Sequence, residues 1–349
     1  MTAFAPDPEL GWNDQLDAAW RSAGAPGEPG RVSRIDRGWS TVMRSAIDAD
    51  PLRIRNLFVD VAVGDWVVPS DDAERVDQIV ERTSAFTRRA SHEGDRFEAD
   101  VLAANIDVVF LVHALGASLN RRRLERELVL AYDSGAEPVV VLTKGDLVPD
   151  PEPARRALAE IALGCPVLVA SGLRHEGIAP IRAFASGNRT LAFLGASGVG
   201  KSTLVNALLD AAVMDTGAVR EADHRGRHTT VAAQLLRLPG EGWLIDTPGV
   251  RAVSLWLSGE GIERAFADVF DLMDHCRFRD CKHDQEPGCA VQAAIVAGDL
   301  DPKRLASLER IVAEEHALEE EQERYEKRGE RGRRRPPPAP GEGDGDGDM

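Results

Sequence analysis

Cysteine, long apolar runs and excess positive charge are all scarce in this chain of 349 residues. Four cysteines are too few for a disulfide scaffold. The longest apolar runs, such as IDVVFLVHALG, are far shorter than the roughly 20 residues that cross a bilayer. The start of the chain shows no basic region followed by an apolar region, so a signal peptide is not expected. These absences predict a cytoplasmic protein without a membrane partner, and we expect a monomer.

The formal net charge of −16 by itself disfavours a nucleic-acid partner. The charge is unevenly distributed, however, because the C-terminal sequence RGERGRRRPPPAPGEGDGDGDM carries a basic block followed by an acidic one. This composition predicts a disordered tail over residues 326–349. A hydrophobic content of 43% is sufficient for sizeable cores elsewhere in the chain.

Changes in hydrophobic periodicity divide the rest of the chain. Residues 1–29 are polar and contain GAPGEPG, which predicts a flexible leader. Short β-like segments over residues 30–95 predict a small all-β barrel. Strands alternate with helices over residues 96–255, which predicts a doubly wound α/β domain. The pattern over residues 256–325 is helical and is interrupted by clustered cysteines.

A phosphate-binding loop is predicted between the strand RTLAFLGA and the helix GKSTLVNALLD, because residues 195–202 match G-x-x-x-x-G-K-[ST]. The glycines let backbone N–H groups converge on phosphate oxygens, Lys201 brings charge to the β- and γ-phosphates, and Ser202 coordinates Mg²⁺. A chance glycine-rich turn would lack this strand–loop–helix context. The predicted phosphate-site residues are Gly195, Ala196, Ser197, Gly198, Val199, Gly200, Lys201, Ser202 and Thr203.

Two later segments complete a GTPase-type phosphate site. Asp246 and Gly249 belong to DTPG at the end of the strand GWLID, where Asp246 can hold a Mg²⁺-bound water and the Gly249 N–H can meet a γ-phosphate. Between the phosphate loop and DTPG lies RGRHTTV, in which Thr229 or Thr230 can complete the Mg²⁺ coordination. The pattern leaves the choice between the two threonines open and favours Thr230.

A guanine-recognition loop is predicted at TKGDL, which ends the strand EPVVVLTK upstream of the phosphate loop. A carboxylate at Asp146 can accept from guanine N1–H and N2–H₂, a pair of donors that adenine lacks. About twenty-five residues later VLVASG ends the next strand, where a backbone N–H can meet guanine O6. A chance surface turn is the alternative, and the spacing of the two strand ends disfavours it. The predicted base-site residues are Thr143, Lys144, Asp146, Leu147 and Ser171.

The motifs occur in a cyclically shifted order, with both base loops before the phosphate loop, the switch and DTPG. A permutation between surface elements keeps a packed sheet intact, because termini are often close together. With VGDWV, AANIDVVFLV and CRFRDCKHDQEPGCAV also in place, residues 30–320 resemble the RsgA family of circularly permuted GTPases that depend on the small ribosomal subunit.

This resemblance implies an N-terminal OB-fold barrel, a circularly permuted α/β P-loop GTPase domain and a C-terminal α-helical zinc-binding domain. It implies GTP and GDP, Mg²⁺ and one structural Zn²⁺ as ligands, and the 30S subunit with its 16S rRNA as partners in late subunit maturation. The sequence departs from the usual pattern at Thr143, where Asn is common in guanine-recognition loops. We expect weaker base affinity from this change, with selection by Asp146 retained.

The clustered cysteines follow the pattern C-x4-C-x-H-x5-C, formed by Cys276, Cys281, His283 and Cys289. Three thiolates and one imidazole suit tetrahedral Zn²⁺ with no open position, which predicts a structural site. Three buried cysteines beside a surface histidine are the alternative, and the family resemblance favours zinc.

The water-orienting glutamine that many GTPases place after the DTPG-type glycine is replaced here by Val250, which has no polar group. The resemblance therefore points to His228 in the switch as the catalytic residue, with an exposed loop histidine as the alternative.

Two functions fit these patterns. The first is a GTP hydrolase stimulated by the 30S subunit, which the resemblance over most of the chain favours. The second is a GTP-dependent scaffold for a protein partner with incidental hydrolysis, which the acidic charge favours slightly. Preference for guanine over adenine would exclude a third possibility, an ATPase or kinase.

Overall fold

The computed structural model describes residues 6–24, 27–89, 99–116, 119–212, 233–246 and 259–333. Within these ranges, an antiparallel barrel, a mainly parallel sheet and a group of C-terminal helices follow one another along the chain. No helix in these ranges combines the length and the hydropathy needed to cross a bilayer.

The N-terminal segment is packed, so the prediction of a flexible leader is wrong for residues 6–24. A 3-10 turn at Pro8–Leu10 and helix α1 (Asp14–Ser22) carry Leu10 and Leu16, which are 0% and 1% exposed. Buried Arg31 donates to the Leu10 carbonyl at 2.7 Å and to the Thr190 hydroxyl at 2.6 Å. Pro8 begins the 3-10 turn and Gly11 ends it, and neither residue prevents the segment from packing against distant parts of the chain.

Five short strands form the barrel: β1 (Gly30–Asp36), β2 (Trp39–Met43), β3 (Leu52–Arg55), β4 (Trp66–Pro69) and β5 (Val76–Ile79). β1 pairs with β2 and β4, β2 pairs with β3, and β4 pairs with β5. A parallel bridge between Arg55 and Arg75 links the end of β3 to the start of β5. The ring therefore closes in the order β1-β2-β3-β5-β4, as a small five-stranded barrel of OB type.

A separate hairpin connects the barrel to the α/β sheet. Strand β6 (Ala85–Arg89) pairs antiparallel with β7 (Ala99–Ala104). The domain boundary expected between residues 95 and 96 therefore falls between two strands that pair with each other. Because the hairpin is one hydrogen-bonded unit, it cannot be divided between two domains at that point.

The α/β sheet contains β8 (Val108–Ala114), β9 (Glu137–Thr143), β10 (Val167–Val169), β11 (Thr190–Gly195), β12 (Gln234–Arg237) and β13 (Trp243–Asp246). Its spatial order is β10-β9-β8-β11-β13-β12, with every neighbouring pair parallel except β12 with β13. Strand β1 adds to the β12 edge through the pair Arg34 and Gln234. The predicted α/β sheet is confirmed, and the barrel is continuous with its edge.

Helices α2 (Arg121–Ser134), α3 (Glu152–Ala159), α4 (Ile178–Arg182) and α5 (Lys201–Leu209) connect these strands. The Asn120 side chain accepts from the Arg123 N–H and caps the start of α2. Gly135, with φ of 85°, ends the helix in the left-handed conformation that glycine adopts without strain. On α5, Leu204, Val205, Ala207 and Leu208 are buried against the sheet.

The C-terminal helices are α6 (Gly259–Ala265), α7 (Ala267–Met273), α8 (Ala290–Ala297) and α9 (Pro302–Arg333). They pack on α2, where the Gly261 N–H donates to Asp133 at 2.8 Å. A Cβ atom at Gly261 would lie 2.1 Å from an Asp133 oxygen, so this approach requires glycine. Helix α9 continues to Arg333, so the prediction of a disordered tail is wrong for residues 326–333, and residues 334–349 lie outside the described ranges.

Candidate functional site

The carboxyl ends of the parallel strands meet at one edge of the α/β sheet, the position at which such sheets bind ligands. Gly195 at the end of β11 lies beside Val112 of β8, and Ala114 of β8 lies beside Thr143 of β9. The predicted phosphate loop and guanine-recognition loop therefore come together in space, although the second precedes the first in the chain. We call this region the nucleotide edge.

The phosphate loop has a backbone shape that depends on glycine. Gly195, Gly198 and Gly200 have φ of 152°, 76° and 101°. A Cβ atom at Gly195 would lie 2.5 Å from the Val112 carbonyl oxygen. The Lys201 ammonium donates to the carbonyls of Gly195 and Ala196 at 2.6 and 2.5 Å. A cation and the N-terminus of α5 therefore lie at the same loop, which suits a phosphate group.

The guanine-recognition loop is held by the neighbouring strand end. Lys144 adopts the left-handed conformation with φ of 59°, and a 3-10 turn follows at Gly145–Leu147. The Gly145 N–H donates to the Ala170 carbonyl at 3.1 Å. Leu147 is 63% exposed at the rim of this turn.

A hydrogen bond joins the two predicted base loops, because the Ser171 hydroxyl donates to the Asp146 carboxylate at 2.6 Å. This bond is the main cause that holds the pKa of Asp146 below its ordinary value, so the group is ionised at neutral pH. An ionised carboxylate accepts hydrogen bonds and donates none. It therefore suits guanine N1–H and N2–H₂, which are both donors.

Ser171 differs from the sequence expectation in one respect. Its backbone N–H donates to the Glu176 carbonyl at 2.9 Å, so that N–H is already engaged within its own loop. Its side chain, in contrast, contacts Asp146 of the other base loop. The adjacent Gly172 lies against α5, where a Cβ atom would approach the Thr203 carbonyl oxygen to 2.8 Å. This close contact joins the second base loop to the helix that follows the phosphate loop.

Of the residues predicted from the segments DTPG and RGRHTTV, the structure describes one and leaves the others outside its described ranges. Asp246 ends β13 at the nucleotide edge, opposite Gln234 of β12. The proposed catalytic and switch residues, together with the DTPG glycine, lie outside the described residues; they are His228, Thr229, Thr230 and Gly249.

A second candidate site is formed by the loop that precedes α8. The ligand atoms of Cys276, Cys281, His283 and Cys289 all lie within 4.8 Å of one another. His283 Nδ1 is 3.6 Å from the sulfurs of both Cys276 and Cys289, and these two sulfurs are 4.0 Å apart. Around one tetrahedral Zn²⁺, such separations are expected at about 3.5–3.8 Å. The donor set and its spacing therefore fit one zinc ion.

The barrel carries a basic and aromatic cluster that the sequence patterns did not indicate. The Trp39 ring on β2 faces the guanidinium groups of Arg53 and Arg55 on β3, at 5.5 and 5.0 Å from the ring centroid. Both arginines are exposed. The alternation in LRIR could have indicated this cluster, because it places both arginines on one face of the strand.

The chain is similar to a known family of GTPases. The family model "RsgA GTPase" matches residues 79–256. "Small ribosomal subunit biogenesis GTPase RsgA" of Streptomyces coelicolor is 43% identical over 324 residues, covering 88% of this chain and 86% of that protein. The protein of the same name from Opitutus terrae is 44% identical over 267 residues, covering 73% of this chain and 72% of that protein.

Two solved structures have a similar fold. "Crystal structure of YjeQ from Thermotoga maritima" matches with a TM-score of 0.60 and 25% identity, covering 82% of this chain and 98% of that one. A second structure, of YloQ, described as a circularly permuted GTPase, matches with a TM-score of 0.61 and 24% identity over 83% of this chain and 95% of that one. The motif order expected from the sequence and the permuted fold are therefore confirmed.

Proposed function

Because this chain belongs to the RsgA GTPase family, we propose that it hydrolyses GTP in association with the small ribosomal subunit and acts in ribosome biogenesis. The observation that carries this proposal is the Ser171–Asp146 pair beside the phosphate loop. That pair supplies an ionised carboxylate where a guanine base would lie, and the same edge carries Lys201. We also propose that the protein is monomeric and cytoplasmic.

Bound GTP would be held from both ends. Asp146 would accept from guanine N1–H and N2–H₂, and the phosphate-loop amides with Lys201 would bind the phosphates. Ser202 and Thr230 would hold Mg²⁺, which neutralises charge that develops on the phosphates, and Asp246 would hold a water bound to the metal. The structure describes Ser202 and Asp246, whereas the role of Thr230 is assigned from the sequence alone.

Orientation of the attacking water is assigned to His228. Val250 has no polar group for this task, and His228 precedes the threonines that would order the switch around Mg²⁺. Changing His228 to Ala should leave GTP affinity intact and lower the subunit-stimulated kcat by roughly 10²–10⁴-fold, the usual effect of losing positioned acid–base help. His316→Ala on α9, where the side chain is 69% exposed, is the matched control. Full stimulated turnover in His228→Ala would remove this residue from catalysis.

The four ligands at Cys276, Cys281, His283 and Cys289 would hold one structural Zn²⁺. With all four positions of the tetrahedron taken by protein atoms, the metal would stabilise the loop and would not bind substrate.

Contact with 16S rRNA is assigned to the barrel. Trp39, Arg53 and Arg55 provide an aromatic ring and two cations on one exposed face, the combination that stacks bases and neutralises phosphates. This local cluster can act despite the net charge of −16, because electrostatic attraction depends on the charge near the contact.

One assay tests the proposal directly. Phosphate release from GTP is measured with the full chain alone and with purified 30S particles, with ATP as the control nucleotide. We expect slow turnover of GTP alone, clear stimulation by 30S particles and no hydrolysis of ATP. GTP hydrolysis that 30S particles do not alter would instead support the scaffold function, and equal use of ATP would contradict guanine recognition.

A further inference from the structure

Thr143 connects the two halves of the nucleotide edge. It ends β9, is 2% exposed, and its hydroxyl donates to the carbonyl of Val199 in the phosphate loop. The His113 carbonyl lies 3.2 Å from the same hydroxyl. Since a hydroxyl carries one proton, it donates one full hydrogen bond at a time. The side chain of Thr143 therefore joins the guanine-recognition strand to the phosphate loop.

The contact extends to the next residue of the phosphate loop. A Cβ atom at Gly200 would lie 3.4 Å from the Thr143 hydroxyl oxygen and 3.6 Å from its Cβ. Thr143 thus packs directly on the peptide bond between Val199 and Gly200. Gly200 has φ of 101° and is the N-cap residue of α5, so its N–H belongs to the start of the helix that would face an anion.

The orientation of that peptide follows from its geometry. In a trans peptide the carbonyl and the N–H point in opposite directions, and the described residues contain no cis peptide bond. Because Thr143 holds the Val199 carbonyl toward β9, the Gly200 N–H points away from β9. Without the hydroxyl, the half-buried Val199 carbonyl would lose a hydrogen bond and the peptide could rotate.

We propose that Thr143 is a positioning residue for phosphate binding, which fixes the Val199–Gly200 peptide so that the Gly200 N–H meets the nucleotide phosphates. Thr143 does not contact the base. This role rests on the proposed function as a guanine-nucleotide-binding GTPase. The sequence led us to expect that Thr143 weakens base affinity, whereas the proposed role concerns phosphate binding. Base selection is then left to Asp146 and Ser171.

The test compares Thr143→Val with Thr143→Ser in the full chain, using GDP and guanosine as probes. Valine keeps the shape and removes the hydroxyl, whereas serine keeps the hydroxyl. Thr143→Val should weaken GDP binding about tenfold, the effect of one lost hydrogen bond, and leave guanosine binding unchanged. Thr143→Ser should bind GDP nearly as the wild type does. Because valine is well suited to a strand and only one side-chain hydroxyl is lost, the thermal midpoint of the nucleotide-free protein should fall by only a few degrees, so binding is compared on folded protein.

Two results would overturn the assignment. Unchanged GDP affinity in Thr143→Val would show that the hydroxyl does not position the loop. Equal losses for GDP and guanosine would place Thr143 at the base. The GDP-to-ADP preference of the wild type is measured separately, and equal affinities there would refute the proposed function. The comparison of the two variants would still test Thr143 in that case, because both nucleotides carry the same phosphates.

Discussion

The nucleotide edge and the Cys/His loop are both small clusters of functional side chains, yet different forces hold them in place. The nucleotide edge continues from strands whose residues are almost fully buried, such as Val139–Leu142 at 0% exposure. The Cys/His loop has mostly exposed residues, and Glu286 stabilises it locally by accepting from the N–H groups of Lys282 and Asp284. The first site is positioned by the protein core, and we expect the second to depend on bonds to a metal. Loss of the metal should therefore affect the second site and spare the first.

The largest expected effect is the loss of zinc from Cys281→Ser. Metal binding contributes roughly 10–16 kcal/mol to the folding of small zinc sites, so the loop and the helices beside it should lose their structure. GDP affinity should be retained, because the sheet has its own core. Metal content per chain and GDP titration measure the two effects. Cys165→Ser is the control, since Cys165 contacts Tyr132 outside the cluster. Stoichiometric zinc in Cys281→Ser would show that the ligand set is wrong.

The next effect concerns the base. Asp146→Asn should shift the preference from GTP toward xanthosine triphosphate, because an amide can donate to the C2 carbonyl of xanthine. The loss of two charge-assisted hydrogen bonds should weaken GTP binding by about 10²–10⁴-fold. Competition between the two nucleotides measures the shift. Asp150→Asn, four residues further along, should bind GTP as the wild type does. An unaltered preference in Asp146→Asn would exclude this carboxylate from the base site.

A buried ion pair joins the C-terminal helices to α2 of the α/β domain. Arg304 on α9 donates to Glu125 on α2 at 3.2 Å and to Asp268 on α7 at 2.9 Å, with Arg304 and Glu125 at 2% and 0% exposure. Arg304→Ala should lower the free energy of unfolding by about 3–5 kcal/mol, because it leaves Glu125 with less compensation for its buried charge. Denaturant unfolding measures this loss, and Arg310→Ala on the exposed face of α9 should change it by less than about 0.5 kcal/mol.

The same variant, Arg304→Ala, tests whether the nucleotide edge is independent of the C-terminal helices. If the nucleotide edge depends on its own core, GDP affinity in Arg304→Ala should stay near that of the wild type. A large loss of GDP affinity in a folded variant would show that the C-terminal helices support the nucleotide edge through α2.

The smallest expected effect comes from Ser171→Ala. The hydrogen bond from Ser171 lowers the pKa of Asp146, so the bond is present above the ordinary pKa and is lost as pH falls through the lowered value. Without it, the pKa of Asp146 should rise toward 3.8, and GDP binding should decline at a higher pH on acidification. At neutral pH we expect a loss of about 3–10-fold in GDP affinity. Carboxyl NMR titration follows the pKa. The exposed Ser186→Ala is the control, and an unchanged Asp146 titration in Ser171→Ala would contradict the pairing.

Local patterns predicted most of the α/β region. The alternation of strands and helices and the strand–loop–helix context of the phosphate loop are properties of short segments, and both were found where the sequence indicated them. The packed N-terminal segment was missed, because its burial depends on Arg31 reaching Thr190, 159 residues away. A composition rich in proline and glycine carries no information about such a partner.

The sequence by itself determined which chemical groups are available: the glycines and lysine of the phosphate loop, the carboxylate of TKGD and the four predicted zinc ligands in one short segment. Their types and spacing are local, so periodicity and motif spacing suffice to find them. The tertiary structure decided how these groups pair. Thr143 bonds to the phosphate loop 56 residues away, and Ser171 bonds to Asp146 across 25 residues. Both pairings arise because parallel strands end at one edge of the sheet, and strand order is set by packing of the whole domain.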